Sequence, residues 1–225
     1  MIPVLPFRPR AVVFDMDGLM LDSERTILGC LDRAAREHGC QIEFDFWVGM
    51  VGQGDAACRR LLAGRVGDTA ADTILQRCHV LYDEEVARGI AHRPGIVELL
   101  RWLGEAGLPR AVATSTRRPL ALRKLEAAGL LPHFDVVCTS SDVAAPKPAP
   151  DVYLLAARKL GVTPADCLVL EDSPTGVRAA LAAGMTPIQV PDMLLPDEQV
   201  RALGHRIIGS LAEVRPLLEP LLRGP

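Results

Sequence analysis

Residues 12–22 read VVFDMDGLMLD, an apolar run that is followed by three aspartates. The run is rich in β-branched and apolar side chains, which predicts a buried β-strand. Asp15 stands at the end of this strand, Asp17 follows two residues later and Asp22 closes the stretch. One aspartate beside a glycine is typical of a turn, but a turn does not require two acids at this spacing. The explanation has to come from residues elsewhere in the chain.

Four further segments of β-branched and apolar residues follow along the chain, and helical patterns separate them. The strand-like segments are residues 110–115, 134–140, 167–172 and 186–190, and the helical patterns cover residues 95–107, 120–129, 150–161 and 174–184. Strands and helices that alternate in this way predict an α/β fold, a doubly wound, Rossmann-like parallel sheet covered by helices on both faces. In such sheets, ligands bind beyond the carboxyl ends of the strands.

The interval between residues 22 and 92 interrupts this alternation. It is mostly helical in pattern and contains no convincing strand. A connection from a strand to the next helix usually needs only a few residues, so this interval is too long to be a simple loop. We therefore predict a discontinuous α/β core, residues 1–21 and 93–225, and a smaller all-α cap domain inserted into it, residues 22–92.

The composition disfavours several classes of function. The formal net charge is −3, and no run of about five basic residues occurs, which argues against a nucleic-acid partner. No stretch of about eighteen apolar residues exists, and residues 1–10 lack the apolar segment of a signal peptide, so no membrane association is expected. The six cysteines are widely spaced, which fits a reducing cytoplasm and disfavours disulfides or a zinc site. We expect a soluble, cytoplasmic protein that is a monomer, with an oligomer left open.

Polar side chains stand at the ends of the other predicted strands. Glu171 and Asp172 end one strand, Thr114 and Ser115 end another, and Lys147 lies in a loop after a third. Taken singly, these residues are ordinary helix caps or solvated loop charges. Taken together, several carboxylates in one crevice predict a hard divalent cation bound through oxygen, Mg²⁺ in the first place. A lysine and a hydroxyl group facing that cation predict a site for a transferring phosphoryl group.

Four motifs give this prediction a family context. They are DMDGLMLDSE (15–24), VATST (112–116), PKPAPDVY (146–153) and LVLEDSPTGVRAALAAG (168–184). In order and spacing they resemble the four motifs of the haloacid dehalogenase (HAD) superfamily. The resemblance is closest to the β-phosphoglucomutase-like phosphatases, which carry a helical cap between the first and second motifs.

The resemblance implies a chemical role for four residues. Asp15 would be the nucleophile that forms an aspartyl-phosphate. Asp17 would protonate the leaving oxygen and then, as a base, activate the water that hydrolyses the intermediate. If Asp17 enters the reaction protonated, its pKa should lie above the usual value of about 3.9. Thr114 and Lys147 would hold the oxygen atoms of the phosphoryl group.

The resemblance also implies the ligands of Mg²⁺. They would be the carboxylates of Asp15 and Asp172 and the backbone carbonyl of Asp17. Glu171 would support the metal from the outer shell.

The presence or absence of particular residues distinguishes between the reactions known for this superfamily. Dehalogenation there uses the nucleophilic aspartate without a second one two positions on, whereas Asp17 is present here. Phosphonate cleavage needs a lysine in the cap, but residues 22–92 contain none. Phosphomutases of this type usually have a histidine where this chain has Ile27. The sequence therefore predicts a phosphatase for a small phosphorylated metabolite, of the sugar-phosphate class, with a phosphomutase and a non-enzymatic phosphate- or metal-binding module as alternatives.

Residues of the predicted cap offer weaker candidates for substrate binding. Gly52, Gly54 and Ala57 match the dinucleotide-binding pattern GxGxxA, but no strand precedes them, which argues against that function. Gly52 and Gln53 fit either a flexible loop that touches the substrate or an ordinary turn between helices. Arg77 fits either a partner for a second anion of the substrate or the solvated face of a helix.

Overall fold

The computed structural model describes residues 5 and 7–222. Its centre is a six-stranded, all-parallel sheet with the strand order β3-β2-β1-β4-β5-β6. The strands are β1 (Ala11–Phe14), β2 (Arg110–Ala113), β3 (Val136–Cys138), β4 (Cys167–Glu171), β5 (Thr186–Gln189) and β6 (Arg206–Ile207). The predicted doubly wound α/β fold is confirmed. The two-residue edge strand β6 is an addition to the five predicted strands.

Ten α-helices are found among the described residues. They are α1 (Ser23–Glu37), α2 (Phe44–Val48), α3 (Asp55–Val66), α4 (Asp68–Arg88), α5 (Ile96–Glu105), α6 (Arg118–Ala127), α7 (Asp151–Leu160), α8 (Pro174–Ala182), α9 (Glu198–Arg201) and α10 (Val214–Leu222). No described helix is long and apolar enough to cross a bilayer. Residues 1–4 and 6, on which the expectation about a signal peptide partly rests, lie outside the described part of the chain.

The sheet separates two hydrophobic cores because successive side chains of a strand point to opposite faces. In β1, Val12 and Phe14 belong to the larger core, whereas Ala11 and Val13 belong to the smaller one. All four side chains are fully buried. This two-sided burial explains why β1 is continuously apolar in the sequence and why it lies in the middle of the sheet.

Every regular element between residues 23 and 88 is helical. The chain leaves the sheet and returns to it through two segments that pair with each other. Asp22 N donates to Ala91 O at 2.9 Å, and Arg93 N donates to Met20 O at 2.8 Å. The division into a core and a cap domain at residues 22 and 92 stays a prediction. Asp22 occupies the N-cap position of α1, but its side chain forms no capping hydrogen bond and accepts one from Arg25 instead.

Candidate active site

The topology brings the predicted catalytic residues to one edge of the sheet. Asp15 follows β1, Thr114 follows β2 and Asp172 follows β4, while Lys147 lies in the loop between β3 and α7. The carboxyl ends of parallel strands meet at the same edge, so these side chains converge from distant parts of the sequence. Asp15 N donates to Leu170 O at 3.0 Å, which extends the strand pairing to Asp15 itself.

Three carboxylates form the centre of this edge. Asp15, Glu171 and Asp172 each offer one oxygen atom, and these atoms lie within 4.8 Å of one another. All three side chains belong to buried residues. Burial raises the pKa of Asp15 to about 7; the charge of Lys147 opposes this shift, and that of Glu171 adds to it. Burial, together with the charges of Glu171 and Asp15, raises the pKa of Asp172 well above its usual value.

Lys147 and Glu171 form a buried, hydrogen-bonded network beside Asp15. Lys147 Nζ lies 2.6 Å from Asp15 Oδ1 and 2.6 Å from Glu171 Oε1. The Glu171 carboxylate also accepts hydrogen bonds from Tyr153 OH, from Ser173 N and from Ser173 Oγ, each at 2.9 Å. Burial opposes ionisation of Glu171, but the charge of Lys147 and these hydrogen bonds lower its pKa. Glu171 is therefore an ionised support for Lys147, and its oxygen atoms are already occupied.

The Asp172 carboxylate differs from that of Glu171 in its hydrogen bonding. Among the described residues, no side chain forms a hydrogen bond or a salt bridge with the Asp172 carboxylate, although the residue is only 8% exposed. A buried acid without a partner is costly unless a cation compensates it. The carboxylates of Asp15 and Asp172 are thus an oxygen donor set that fits Mg²⁺.

Two glycines permit this close arrangement of acids. A Cβ atom at Gly176 would collide with the Glu171 carboxylate, and one at Gly18 would collide with the Asp172 carboxylate. Gly18 also has a φ of +79°, in the left-handed region that favours glycine. The glycines in the motifs DMDG and EDSPTG therefore make room for the acids.

Asp17 is held by two residues that the sequence analysis did not select. Thr116 Oγ1 donates to Asp17 Oδ2 at 2.6 Å, and Lys124 Nζ donates to Asp17 Oδ1 at 2.8 Å. Burial would raise the pKa of Asp17, but the charge of Lys124 and the two hydrogen bonds outweigh it, so the pKa is lowered. The expectation of a raised pKa for Asp17 is wrong for this arrangement, because it left the buried ammonium group of Lys124 out of account.

Lys124 lies on the buried face of its helix. In α6, Ala121, Lys124 and Leu125 are the buried residues, so the lysine lies on the apolar face of the helix. Its ammonium group also lies 5.0 Å from the centre of the Tyr82 ring, which belongs to α4. A charged residue on an apolar helical face needs a buried partner, and here that partner is Asp17.

Thr114, the remaining catalytic candidate, and the weaker substrate-binding candidates lie in several parts of the structure. Thr114 is buried at the end of β2 and its Oγ1 accepts a hydrogen bond from Thr116 N at 3.0 Å, whereas Ser115 is exposed. Gly52 and Gln53 line a cavity among the helices α1, α3 and α4. Arg77 does not line that cavity; its guanidinium group pairs with Glu37 at 2.6 Å.

Fold and site together define a hydrolase, and the comparisons identify its family. The chain belongs to the haloacid dehalogenase-like hydrolases, because the sequence pattern of that family matches residues 9–184. The predicted family and fold class are confirmed, and so is the prediction of an enzyme, a phosphoric monoester hydrolase.

Individual relatives are similar to this chain in sequence or in structure over most of its length. Hexitol phosphatase A from Escherichia coli (strain K12) is 36% identical over 183 residues, which are 81% of this chain and 83% of that protein. A HAD family hydrolase from Deinococcus radiodurans R1, solved with bound phosphate and sodium, has a TM-score of 0.81 and 32% identity, over 98% of this chain and 99% of that one. A Thermotoga maritima protein provisionally assigned as a β-phosphoglucomutase has a TM-score of 0.83 and 27% identity, over 94% and 99%.

Proposed function

We propose that this hydrolase removes the phosphoryl group from a small phosphorylated metabolite of the sugar-phosphate class, in a Mg²⁺-dependent reaction through an aspartyl-phosphate. The observation that carries the proposal is the position of Asp15. Its carboxylate stands at the end of the central strand, 2.6 Å from the ammonium group of Lys147 and beside the unpaired Asp172. The relative called hexitol phosphatase A supports the substrate class.

Magnesium has a defined place in this proposal. The carboxylates of Asp15 and Asp172 and the backbone carbonyl of Asp17 would hold it, and Glu171 would act through Lys147 rather than on the metal. When bound, Mg²⁺ neutralises the two acids and draws negative charge from the oxygen atoms of the phosphoryl group.

The first chemical step transfers the phosphoryl group to the enzyme. An Asp15 carboxylate oxygen attacks phosphorus while the bond from phosphorus to the leaving oxygen breaks. Lys147 and Thr114 bind the phosphoryl oxygens and stabilise the charge that is spread over them in the transition state. Asp17 donates the proton that neutralises the leaving oxygen, and the alcohol departs; this requires that the pKa of Asp17, which Lys124 and Thr116 lower in the structure, rises when the substrate binds.

The second step releases phosphate. Asp17, now ionised, takes a proton from a water molecule, whose oxygen attacks the phosphorus of the aspartyl-phosphate. The bond between phosphorus and the Asp15 oxygen breaks, so the carboxylate is regenerated and inorganic phosphate leaves. Since Lys124 and Thr116 occupy both oxygen atoms of Asp17 in the structure, Asp17 has to exchange one of these partners for the leaving oxygen before it donates its proton.

The phosphomutase alternative is less well supported. Ile27, at the position where related mutases usually have histidine, lines the cavity among α1, α3 and α4 with an apolar side chain. An isoleucine supplies no proton-transfer group there, so water is the simpler acceptor. The non-enzymatic alternative is disfavoured by membership of a hydrolase family.

Phosphate release is the direct test of the proposal. Purified protein with Mg²⁺ is assayed on p-nitrophenyl phosphate and on a panel of sugar phosphates, phosphoglycolate and nucleotides. We expect release that a chelator abolishes and that Asp15→Asn lowers by at least about 10³-fold. The control is Asp45→Asn, an exposed aspartate on α2, which should keep the wild-type rate.

Three outcomes would contradict parts of this proposal. Wild-type turnover by Asp15→Asn would exclude Asp15 as the nucleophile. Full activity in the presence of a chelator would remove the metal. Formation of an isomeric phosphate ester in place of free phosphate would establish the phosphomutase.

A further inference from the structure

A fully buried glutamine lies beside the acid cluster of the candidate active site. Gln189 is the last residue of β5, is 0% exposed and pairs with Glu171 in the register of β4 and β5. Its side-chain Nε2 donates to the backbone carbonyl oxygen of Asp172 at 2.9 Å. A buried amide is costly unless its polar atoms form hydrogen bonds. This bond therefore connects β5 with the residue whose carboxylate has no partner.

The other end of the Gln189 amide is bound by a histidine. His205 Nε2 lies 2.8 Å from Gln189 Oε1. A backbone carbonyl oxygen only accepts hydrogen bonds, so the bond to Asp172 makes the Gln189 nitrogen the donor and leaves Oε1 as an acceptor facing the ring. His205 Nε2 must therefore carry the hydrogen and donate it. Nδ1 of the ring is buried and has no hydrogen-bond partner among the described residues, so the bond to Gln189 orients His205.

The edge strand β6 places His205 next to Gln189. His205 directly precedes β6, whose two residues pair with Ile188 and Gln189 of β5. Ile208 N donates to Gln189 O at 2.9 Å, which continues the pairing beyond β6. The main chain of Gln189 is thus held by the edge strand while its side chain is held by His205. Hydrogen bonds connect the edge of the sheet with Asp172 through these two residues.

The Asp172 carboxylate has no hydrogen bond of its own that could hold it in place. One oxygen atom each of Asp15, Glu171 and Asp172 lie within 4.8 Å of one another, so these acids repel one another when they are ionised. The position of the Asp172 side chain then depends on its backbone. Val190 N donates to Glu171 O at 2.6 Å, and Gln189 Nε2 donates to Asp172 O. These two bonds hold the peptide units on either side of the Asp172 Cα atom.

We propose that Gln189 and His205 are positioning residues for the Mg²⁺ site. Gln189 holds the backbone of Asp172 so that its carboxylate lies beside Asp15 before the metal binds, and His205 fixes the orientation of the Gln189 amide. The inference rests on the proposed Mg²⁺-dependent function and extends it to two residues outside the set of metal ligands. A ligand that is already in place loses less conformational entropy when the metal binds.

Isothermal titration calorimetry of the metal-free protein with MgCl₂ measures the dissociation constant of Mg²⁺ without any substrate. Gln189→Met keeps the approximate size of the side chain and removes both hydrogen bonds, so we expect it to weaken Mg²⁺ binding by about 10-fold or more. His205→Phe keeps an aromatic ring and removes the donor, and we expect it to weaken binding by at least about threefold. The control is Ile96→Val, a buried substitution on α5, which should destabilise the fold without changing the dissociation constant.

The order of the hydrogen bonds predicts how the variants combine. Because His205 acts through Gln189, His205→Phe should have no further effect on Mg²⁺ binding when Gln189→Met is already present. Independent effects of the two substitutions would overturn this part of the inference. His205→Gln keeps an N–H donor at the ε position and should bind Mg²⁺ more tightly than His205→Phe.

A purely structural role of the two residues gives a different result. It would lower the unfolding temperature of the metal-free variants and leave the dissociation constant of Mg²⁺ unchanged, which would overturn the inference. If Gln189→Met does not fold, the comparison of wild type, His205→Phe and His205→Gln decides instead. Equal dissociation constants in these three proteins would then exclude the positioning role.

Binding of Mg²⁺ by the wild type and by Asp172→Asn separates this inference from the proposed function. If the wild type does not bind Mg²⁺, or if Asp172→Asn binds it equally well, the proposed metal site fails and the inference fails with it. If the wild type binds Mg²⁺ through Asp172 while Gln189→Met and His205→Phe keep the wild-type dissociation constant, only the inference about the positioning residues fails.

Discussion

The pair formed by Lys124 and Asp17 predicts a large loss of stability for Lys124→Met. Methionine preserves most of the apolar stem of the lysine, so the substitution removes the ammonium group without opening a large cavity. Lys124 is 4% exposed, and the Asp17 side chain is 28% exposed. Removing one partner of a fully buried ion pair costs about 3–5 kcal/mol, whereas an exposed pair contributes less than about 1 kcal/mol. Asp17 keeps its hydrogen bond from Thr116, so we expect an intermediate loss of about 2–3 kcal/mol in the free energy of unfolding.

Urea unfolding at pH 7 measures this loss. Lys159→Met, a substitution of an exposed lysine on α7, is the control and should stay within about 0.5 kcal/mol of the wild type. The stabilisation by the pair of Lys124 and Asp17 should also depend on pH. Because Lys124 lowers the pKa of Asp17, the stabilisation by the pair is present above the unfolded value of about 3.9 and is lost as the pH falls through the lower, folded value. The difference between wild type and Lys124→Met should therefore narrow at pH 3.

Two results would refute this reasoning. A loss below about 1 kcal/mol at pH 7 would mean that the pair is effectively solvated. A double-mutant cycle with Asp17→Asn that gave no coupling energy would mean that Lys124 stabilises the fold through other contacts, such as the Tyr82 ring.

Three further predictions concern the acid cluster. Gly176→Ala should lower the free energy of unfolding by more than about 2 kcal/mol, because the new methyl group collides with the Glu171 carboxylate. The control Gly64→Ala in α3, where the added methyl group meets open space, should be neutral or stabilising. Thermal unfolding of both variants measures the difference, and equal effects would contradict the crowding around Glu171. Mg²⁺ should raise the unfolding temperature of the wild type, and should raise that of Asp172→Asn much less. The measurement is the unfolding temperature at increasing concentrations of Mg²⁺. An equal rise in both proteins would mean that the metal binds elsewhere. Without metal, the contribution of Asp15 should make the protein less stable as the pH rises from about 4 to 7, because the folded state binds the proton of this acid up to a pKa of about 7 and the unfolded state releases it near 3.8. Urea unfolding across this range should therefore show a steeper loss of stability in the wild type than in Asp15→Asn, in which the raised pKa of Asp172 still contributes. Equal slopes in both proteins would contradict the raised pKa of Asp15.

The main features of the fold follow from local patterns in the sequence. The run before Asp15 is continuously apolar because β1 is buried on both faces, and that pattern is enough to predict a central strand. The elements that are too short for such a pattern to be recognised include β6 and α2. The strand β6 has two residues and α2 has five, so both depend on the packing of the surrounding chain.

The residues of the candidate site also differ in how well the sequence predicts them. Asp15 and Asp172 directly follow strands of a parallel sheet, so the topology alone predicts that they meet. Lys124 is 107 residues from Asp17 in the sequence and lies in the middle of a helix, so no strand end points to it. Its importance depends on the tertiary contact between Lys124 Nζ and Asp17, which a single sequence does not reveal. The lowered pKa of Asp17 was missed for the same reason.

The paired crossings at residues 20–22 and 91–93 have a consequence for how such an enzyme can diversify. The chain departs and returns at points joined by hydrogen bonds of 2.9 and 2.8 Å, so the two ends of the helical segment between them lie next to each other. Lengthening or replacing a segment whose two ends already meet adds little loop-closure entropy. The pairing of β1 with β4, the strands that precede Asp15 and Asp172, involves no residue of that segment. We therefore expect that changes within the segment between the two crossings can alter the choice of substrate while the positions of Asp15 and Asp172 are kept.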